Sequence, residues 1–572
     1  MKQDGRGRRA LLALSMAAAL AGCGGGGGGG DAGATDTNSP TTVALGDTPG
    51  AAPGPVPGKD SVPSGAASDL APACSNCGAV SANSYAGTGV GIWQKTNDSG
   101  VAQDVNVAIS GLAGQDVTLV FTNTTAANVA MPAINTTLSP STGHAQELRK
   151  DASEPGAVPE DEIREFNREG WARRVQEARA EAEIKGILRS GALQAVTAYQ
   201  VGATRSFHHS DNTTRTARLQ KQLSAGDGTV VNVWVETNEI GDAKVSAAIS
   251  DQLATSFGRA GGIYDMLKAA GGPLWGAHSY PELISGTGRP VDIVVLNFDR
   301  NQQAYGVVGF YWSMHQFTKA ADSRSSESVA LFLDSETTYL GGARGLQVAH
   351  MTLAHEAMHM SNFYRRGVSM GQAYQFDTWL EEMTAIMMED AAASAIDASY
   401  QPLRDQRLRD YLRYGSYNCA LKTWTPYAGT CESYAVSGSF GGFLLRHLGV
   451  AFFRDLLQRR LIGSDAVLSA AIQAARPGSG IGPQMQSFAA SAIGTMPADA
   501  PAGYGFPARN EGGFQIPAVD ASAFSTARTM PAGSPSSLLA YANFPVARRA
   551  INGTYSERVR VPAGATLSVV VR

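Results

Sequence analysis

The sequence predicts an α+β fold with two lobes, flanked by small β domains and preceded by a disordered N-terminal tether. Short apolar runs typical of buried strands occur before residue 334, and longer apolar patterns of helical period follow it. Strands followed by helices are typical of an α+β domain with a cleft between its lobes. At 572 residues and 43% hydrophobic content, the chain is long enough for roughly three or four domains.

The N-terminus has the pattern of a bacterial lipoprotein signal. Four basic residues fall within the first nine positions, and a short apolar core follows over Ala10–Leu20. The next residues, Leu20-Ala21-Gly22-Cys23, resemble a lipobox. We therefore expect residues 1–22 to be a signal peptide and Cys23 to be lipidated, which would anchor the mature protein to a membrane.

A flexible tether is predicted over residues 23–79, because seven consecutive glycines lead into a stretch rich in Pro, Gly, Ala, Ser and Thr. The residue after Cys23 is Gly24 rather than Asp. By resemblance to other lipoproteins, this predicts an outer-membrane lipoprotein, either periplasmic or surface-exposed.

Four further cysteines, an even number in an exported chain, predict disulfides. Proximity favours the pairs Cys74–Cys77 and Cys419–Cys431. A redox motif or half of a zinc site are the alternatives for Cys74-x-x-Cys77, but the surrounding linker offers no thioredoxin-like context and no matching pair.

The rest of the chain divides by pattern. We expect a small β module over residues 80–145, a charged helical connector over 146–205, a main domain over 206–495 and a C-terminal β region over 496–572. The connector contains a helix from about Pro159 with only a thin apolar stripe, which favours a solvated connector over part of a propeptide.

The main domain begins with strand-like runs at Val230, Val291 and Val329. One long helix is predicted between the first two strands, from Asp242 as its N-cap to Ala270.

The central motif is His355-Glu356-Ala-Met-His359. It lies in an apolar helical pattern from Gly345 to about Arg366. Residues four apart share one face of a helix, so both imidazoles can bind one metal ion, and Glu356 lies close enough to act as a general base.

A catalytic zinc site usually needs a third protein ligand. The metzincin pattern requires glycine and histidine where this chain has Asn362 and Arg365. We therefore expect the ligand to be a glutamate from a following helix over Trp379–Asp390, which contains Glu381 and Glu382.

Taken together, His-Glu-x-x-His with Asn362-Phe363, Trp379-Leu380-x-Glu382 and Glu389-Asp390 resembles the hyicolysin family of secreted zinc metallopeptidases, within the thermolysin-like gluzincins. The resemblance covers roughly residues 225–480. It implies a zincin-type metallopeptidase domain, Zn²⁺ as cofactor, and proteins or peptides as substrates.

The same resemblance implies that His355, His359 and Glu382 bind zinc and that Glu356 is the general base. Glu381 stands where such proteins often have Asn or Asp. Successive helical residues point about 100° apart, so only one of the two glutamates can face the zinc, and we expect Glu382 to do so.

Further site residues are predicted around this core. The candidates for stabilising the oxyanion are Tyr434, His447, Tyr417 and Tyr414, with Tyr434 first because it opens a Tyr-x-x-x-Gly run before a helix. Glu389, seven residues after Glu382, is a candidate partner for a zinc-bound imidazole.

We therefore expect a lipid-anchored zinc endopeptidase that acts on proteins or peptides as a monomer. The alternative is a non-catalytic surface or binding lipoprotein on a peptidase scaffold. Retention of Glu356 favours the enzyme, because a binding protein does not need a general base. The formal net charge of −4 argues against a nucleic-acid partner.

Overall fold

The computed structural model of the protein describes residues 67–136, 157–185, 198–426 and 431–572. The predicted signal peptide and the lipidation residue Cys23 lie outside these residues. Within them the chain combines helices and sheets in a main domain with flanking β regions, which confirms the α+β class.

The first lobe of the main domain is built on a six-stranded sheet. Its strands, in spatial order, are Gly309–Phe310, Val329–Asp334, Val291–Leu296, Val230–Glu236, Thr214–Ser224 and Thr204–His208. The second, third and fourth of these pair in parallel, and the outer pairings are antiparallel. Every residue of the second and third strands is buried, which explains their continuous apolar runs. Gly309–Phe310 is the edge strand nearest the helical lobe.

Two helices, Ala247–Gly258 and Ile263–Ala270, replace the single long helix predicted up to Ala270. The first begins at Ser246, whose hydroxyl accepts a hydrogen bond from the amide of Ile249, so Asp242 is not the N-cap. The helix breaks at Gly261, which adopts a positive φ of 70° that other residues rarely tolerate.

The second lobe is helical. Its α-helices are Ser335–Leu340, Gly342–Asn362, Thr378–Ile396, Leu408–Arg413, Ser433–Gln458, Ser464–Ala475 and Ile481–Ile493. Turns of π-helix, Phe363–Met370 and Leu403–Arg407, extend two of these elements. Short 3-10 turns are found at Thr237–Glu239, Ser313–Gln316, Gln372–Tyr374 and Ala521–Phe524. By length and composition Ser433–Gln458 could cross a membrane, but 89% of its most apolar stretch is buried in the protein, as in a core helix.

A seven-stranded sheet joins the two ends of the described chain. It contains Ala71–Pro72, Ala79–Ser81, Ser84–Tyr85, Gly91–Thr96, Gln103–Asn123, Asn543–Val561 and Ala565–Val571. The last strand lies between Gly91–Thr96 and Gln103–Asn123, so Val569 is opposite both Trp93 and Leu119. The two β regions that the sequence predicts separately therefore share one sheet. Two-stranded sheets pair Arg509–Glu511 with Phe514–Ile516 and Val129–Ala130 with Ser537–Leu538.

Both predicted disulfides are present, Cys74–Cys77 and Cys419–Cys431. The first lies where the sequence predicts the end of the tether. There Ala71 and Pro72 pair with Gln94 and Trp93, so residues 67–79 belong to the β sheet region rather than to a tether.

Candidate metal centre and active-site cleft

Two imidazole nitrogens and one carboxylate oxygen meet in the cleft between the lobes. His355 and His359 lie on Gly342–Asn362, the active-site helix, and Glu382 lies on Thr378–Ile396, the glutamate helix. Oε2 of Glu382 is 3.3 Å from Nε2 of His355 and 3.7 Å from Nε2 of His359. The two helices pack together because both present apolar faces to one core, and this packing brings the three side chains to one point.

These distances fit a metal ion. In a tetrahedral zinc site with bonds of about 2.0–2.1 Å to nitrogen, neighbouring ligand atoms are about 3.3 Å apart. Oε2 of Glu382 is buried and has no hydrogen-bond partner among the described residues. A buried carboxylate oxygen without a donor is costly unless a cation satisfies it. His355, His359 and Glu382 could therefore hold zinc.

Glu356 is a further carboxylate near the two histidines. His355, Glu356 and His359 can bring one ligand atom each within 4.8 Å of one another, so they also form a possible metal-binding group. We favour Glu382 as the ligand because one of its oxygens approaches both Nε2 atoms, which leaves Glu356 free to act on a proton.

The opposite nitrogens of the imidazoles are held by carboxylates. Nδ1 of His355 donates to Glu389 at 2.6 Å, and Nδ1 of His359 donates to Glu381 at 3.0 Å. Arg407 in turn donates to Glu389 at 3.2 Å. Such outer partners fix the tautomer in which each Nε2 is free for a metal.

Burial and neighbouring charges shift the pKa values of these groups in opposite directions. Burial raises the pKa of Glu382, but the charges of His359, His355 and Arg164 outweigh it and lower that pKa to about 2. Burial lowers the pKa of His355, yet Glu382 and Glu389 raise it well above its usual value. The excess of carboxylates therefore attracts positive charge, whether protons or a metal ion.

The pKa of the Glu356 carboxyl is raised, whereas the pKa of Glu382 is lowered. Burial raises its pKa, and the nearby charges of His355 and His359 only partly offset that rise. A carboxylate whose proton affinity is increased in this way is suited to accept a proton near neutral pH.

The candidate metal ligands line a cavity of about 800 Å³, part of it open to solvent. Tyr434 lies in its wall, with its ring centroid 6.5 Å from that of His355. The other wall contains the edge strand Gly309–Phe310 and the following Tyr311. An extended peptide could lie along this edge with its backbone facing the candidate metal ligands.

Tyr434 is thus the one predicted oxyanion candidate in the cavity wall among the described residues. His447 instead bonds the carbonyl of Gly505 at 3.1 Å, and Tyr417 is buried against Tyr411. Tyr414 also lies outside the lining of the cavity.

The predicted charged connector forms part of the wall of this cavity, and sequence patterns did not predict that position. Ala157–Glu165, Phe166–Gly170 and Trp171–Ile184 form one continuous helical segment, and we call residues 157–185 the cover segment. Trp171 is only 1% exposed, so the expectation of a solvated connector was wrong. Trp171 could have indicated that this charged helix packs against the rest of the protein, because a solvated helix does not need a large apolar side chain.

Comparison with known proteins assigns most of the chain. A family model described as Peptidase M30 matches residues 211–572, more than half of the chain. A second model, described as Domain of unknown function (DUF8571), matches residues 72–136. A search of curated proteins finds no match. The cover segment lies outside both matched ranges.

Proposed function

From the premise that this chain belongs to the peptidase M30 family and is a metallopeptidase, we propose that it is a zinc endopeptidase with Glu356 as general base. His355, His359 and Glu382 would hold the metal. Zinc bound there would supply Lewis acidity and activate a water molecule as the nucleophile.

One observation carries the proposal. Oε2 of Glu382 is a buried carboxylate oxygen that forms no hydrogen bond of normal geometry among the described residues, and it lies within 3.7 Å of the Nε2 atoms of both His355 and His359. A structural role would be better served by a hydrogen-bond donor at this position, because an unsatisfied buried acceptor destabilises the fold.

Residues of the protein would bind the substrate, transfer the proton and stabilise the developing charge. A substrate peptide would pair with the edge strand Gly309–Phe310, which presents main-chain groups to the cleft. Glu356 would accept a proton and return it to the leaving amine, a transfer favoured by its raised pKa. The Tyr434 hydroxyl would stabilise negative charge that develops on the peptide oxygen.

The alternative, a non-catalytic binding lipoprotein, is tested by Glu356→Gln. The substitution keeps the side-chain shape and removes the base, so we expect unchanged zinc content and a casein hydrolysis rate lowered by about 10²–10⁴-fold. Zinc is measured by atomic absorption, and hydrolysis is followed with micromolar enzyme over hours so that a slow rate is visible. Equal hydrolysis by both proteins would exclude Glu356 from the mechanism. Zinc binding without hydrolysis, also in a variant whose cleft is opened by Arg164→Ala/Asn167→Ala, would favour the binding protein.

Attachment to the cell envelope through Cys23 belongs to the same proposal. The lipobox pattern supports it, and two disulfides are compatible with an exported protein. We expect the wild type to partition into detergent and Cys23→Ser to remain in the aqueous phase. The same partition for both proteins would reject the anchor.

A further inference from the structure

The cover segment lies across the cleft in which a substrate would have to bind. Glu160, Ile163, Arg164, Asn167 and Arg168 all line the cavity that contains the metal-binding residues. Part of the cavity wall is therefore formed by the cover segment, a region that the peptidase family match does not include.

Asn167 forms hydrogen bonds with main-chain groups next to the edge strand. Its side-chain Nδ2 donates to the carbonyl of Tyr311 at 2.7 Å, and its Oδ1 accepts from the amide of Ser313 at 2.7 Å. A carbonyl and an amide two residues apart point to the same side of an extended chain, where an added strand would bind them. One asparagine side chain thus takes both hydrogen bonds that a peptide backbone would need there.

Arg164 approaches the metal-binding residues. Its Nη1 is 3.8 Å from Oε1 of Glu382, and its guanidinium also pairs with Glu160 at 3.0 Å. A cationic side chain therefore lies next to the carboxylate that would bind the metal. A substrate carbonyl approaching the same point would have to displace it.

The cover segment is held in this position by contacts on its buried face. Trp171 packs edge-on against Phe363, and its Nε1 donates to Oε1 of Gln375 at 3.1 Å. The amide of the same Gln375 donates to the main-chain carbonyl of Asn167 at 2.8 Å. Gln375 therefore links the tryptophan to the residue that blocks the edge.

We propose that the cover segment is a built-in inhibitor that keeps the full chain latent by occupying the substrate-binding edge. This inference rests on the proposed peptidase function. Peptides then bind only when the segment leaves the cleft, so the affinity of the full chain for peptides falls with the fraction of molecules in which the cleft is open.

The double variant Arg164→Ala/Asn167→Ala removes the blocking groups and leaves the Trp171 anchor. The matched control is Arg173→Ala/Glu177→Ala on the outer face of the segment, where these side chains are 66% and 62% exposed. If the double variant does not fold, Asn167→Asp replaces it, since a carboxylate cannot donate to the carbonyl of Tyr311.

Two measurements on the full chain test the proposal. The first is hydrogen exchange at the Ser313 amide, which needs neither metal nor catalysis. We expect at least about tenfold faster exchange in the double variant than in wild type and control. The second is the affinity of the zinc-loaded proteins for a peptidyl hydroxamate, together with casein hydrolysis. We expect affinity and rate to increase at least about tenfold in the double variant only.

The possible results separate the two proposals. Unchanged exchange, or equal hydroxamate affinity in zinc-loaded wild type and double variant, would overturn the inhibitory role while the peptidase function stands. Faster exchange in a protein that binds no zinc and cleaves no casein would mean that the peptidase function has failed, and the inhibitory role with it.

Discussion

Two adjacent glutamates on the glutamate helix provide a sharp test of the metal centre. Glu381→Gln and Glu382→Gln make the same chemical change at neighbouring positions on one helix. The structure gives the two side chains different partners, because Glu381 bonds Nδ1 of His359 and Glu382 faces both Nε2 atoms. The two variants should therefore weaken zinc binding to different extents.

The expected size of each effect follows from these contacts. Glu381 accepts from both His359 and Asn362, at 3.0 and 3.1 Å, and a glutamine must direct its N–H₂ toward one of these donors. Loss of such an outer partner typically weakens metal affinity by about 10–100-fold, or about 1.4–2.8 kcal/mol. Glu382→Gln removes a charged ligand from the metal itself, so its effect should exceed the upper end of this range.

Competition with a chromophoric chelator at fixed pH gives the zinc dissociation constant of each protein. The order wild type, Glu381→Gln, Glu382→Gln is expected, from tightest to weakest. A larger loss for Glu381→Gln would mean that this residue is the ligand. Unchanged affinity in Glu382→Gln would refute the assignment of the orphaned oxygen to the metal.

Two further predictions concern stability. Arg446→Ala should lower the free energy of unfolding in urea by about 3–5 kcal/mol, because it leaves the buried Asp390 without its cation. The control Arg560→Ala removes an exposed ion pair and should lower it by less than about 1 kcal/mol. Similar losses in the two variants would contradict this prediction. Burial raises the pKa of Asp334 to about 6. The folded state then binds more protons than the unfolded state between about pH 4 and pH 6, so stability should fall as pH rises through this window. This slope should be less steep in Asp334→Asn, because Glu356 and Glu160 also have raised pKa values and keep contributing, and an identical slope would exclude Asp334 as a source.

The clustering of the candidate metal ligands could be predicted in part from the sequence, because the positions of the two histidines depend on helical period. His355 and His359 are four residues apart, and this spacing places them on one face wherever the helix lies. The rotation of about 100° per residue likewise gives Glu381 and Glu382 different directions, so Glu382 approaches both Nε2 atoms whereas Glu381 reaches Nδ1 of His359. Helical period is a local property, but the expectation that the following helix supplies the third ligand, with Glu382 in that role, came from the family resemblance.

Features that depend on distant contacts could not be predicted in the same way. The strand Ala565–Val571 lies beside Gly91–Thr96, and nothing in either local pattern specifies a partner more than 450 residues away. The position of the cover segment depends on the pocket around Trp171, formed by Phe363 and Tyr280 from elsewhere in the chain. Periodicity indicates which face of a helix is apolar, but not which surface will bury it.

Three buried glutamates and the half-buried Glu381 surround two histidines in this cleft, and their different partners separate their roles. Glu381 and Glu389 each accept from an imidazole Nδ1, so they orient the rings and cannot approach the opposite nitrogens. Glu382 has a pKa lowered to about 2 and an oxygen without a hydrogen-bond partner among the described residues, as expected for a ligand that must stay ionised. Glu356 has a raised pKa, as expected for a group that must take up a proton. The contacts of each carboxylate therefore support the proposed roles of Glu382 as ligand and Glu356 as base, and this support does not depend on the motif that contains Glu356.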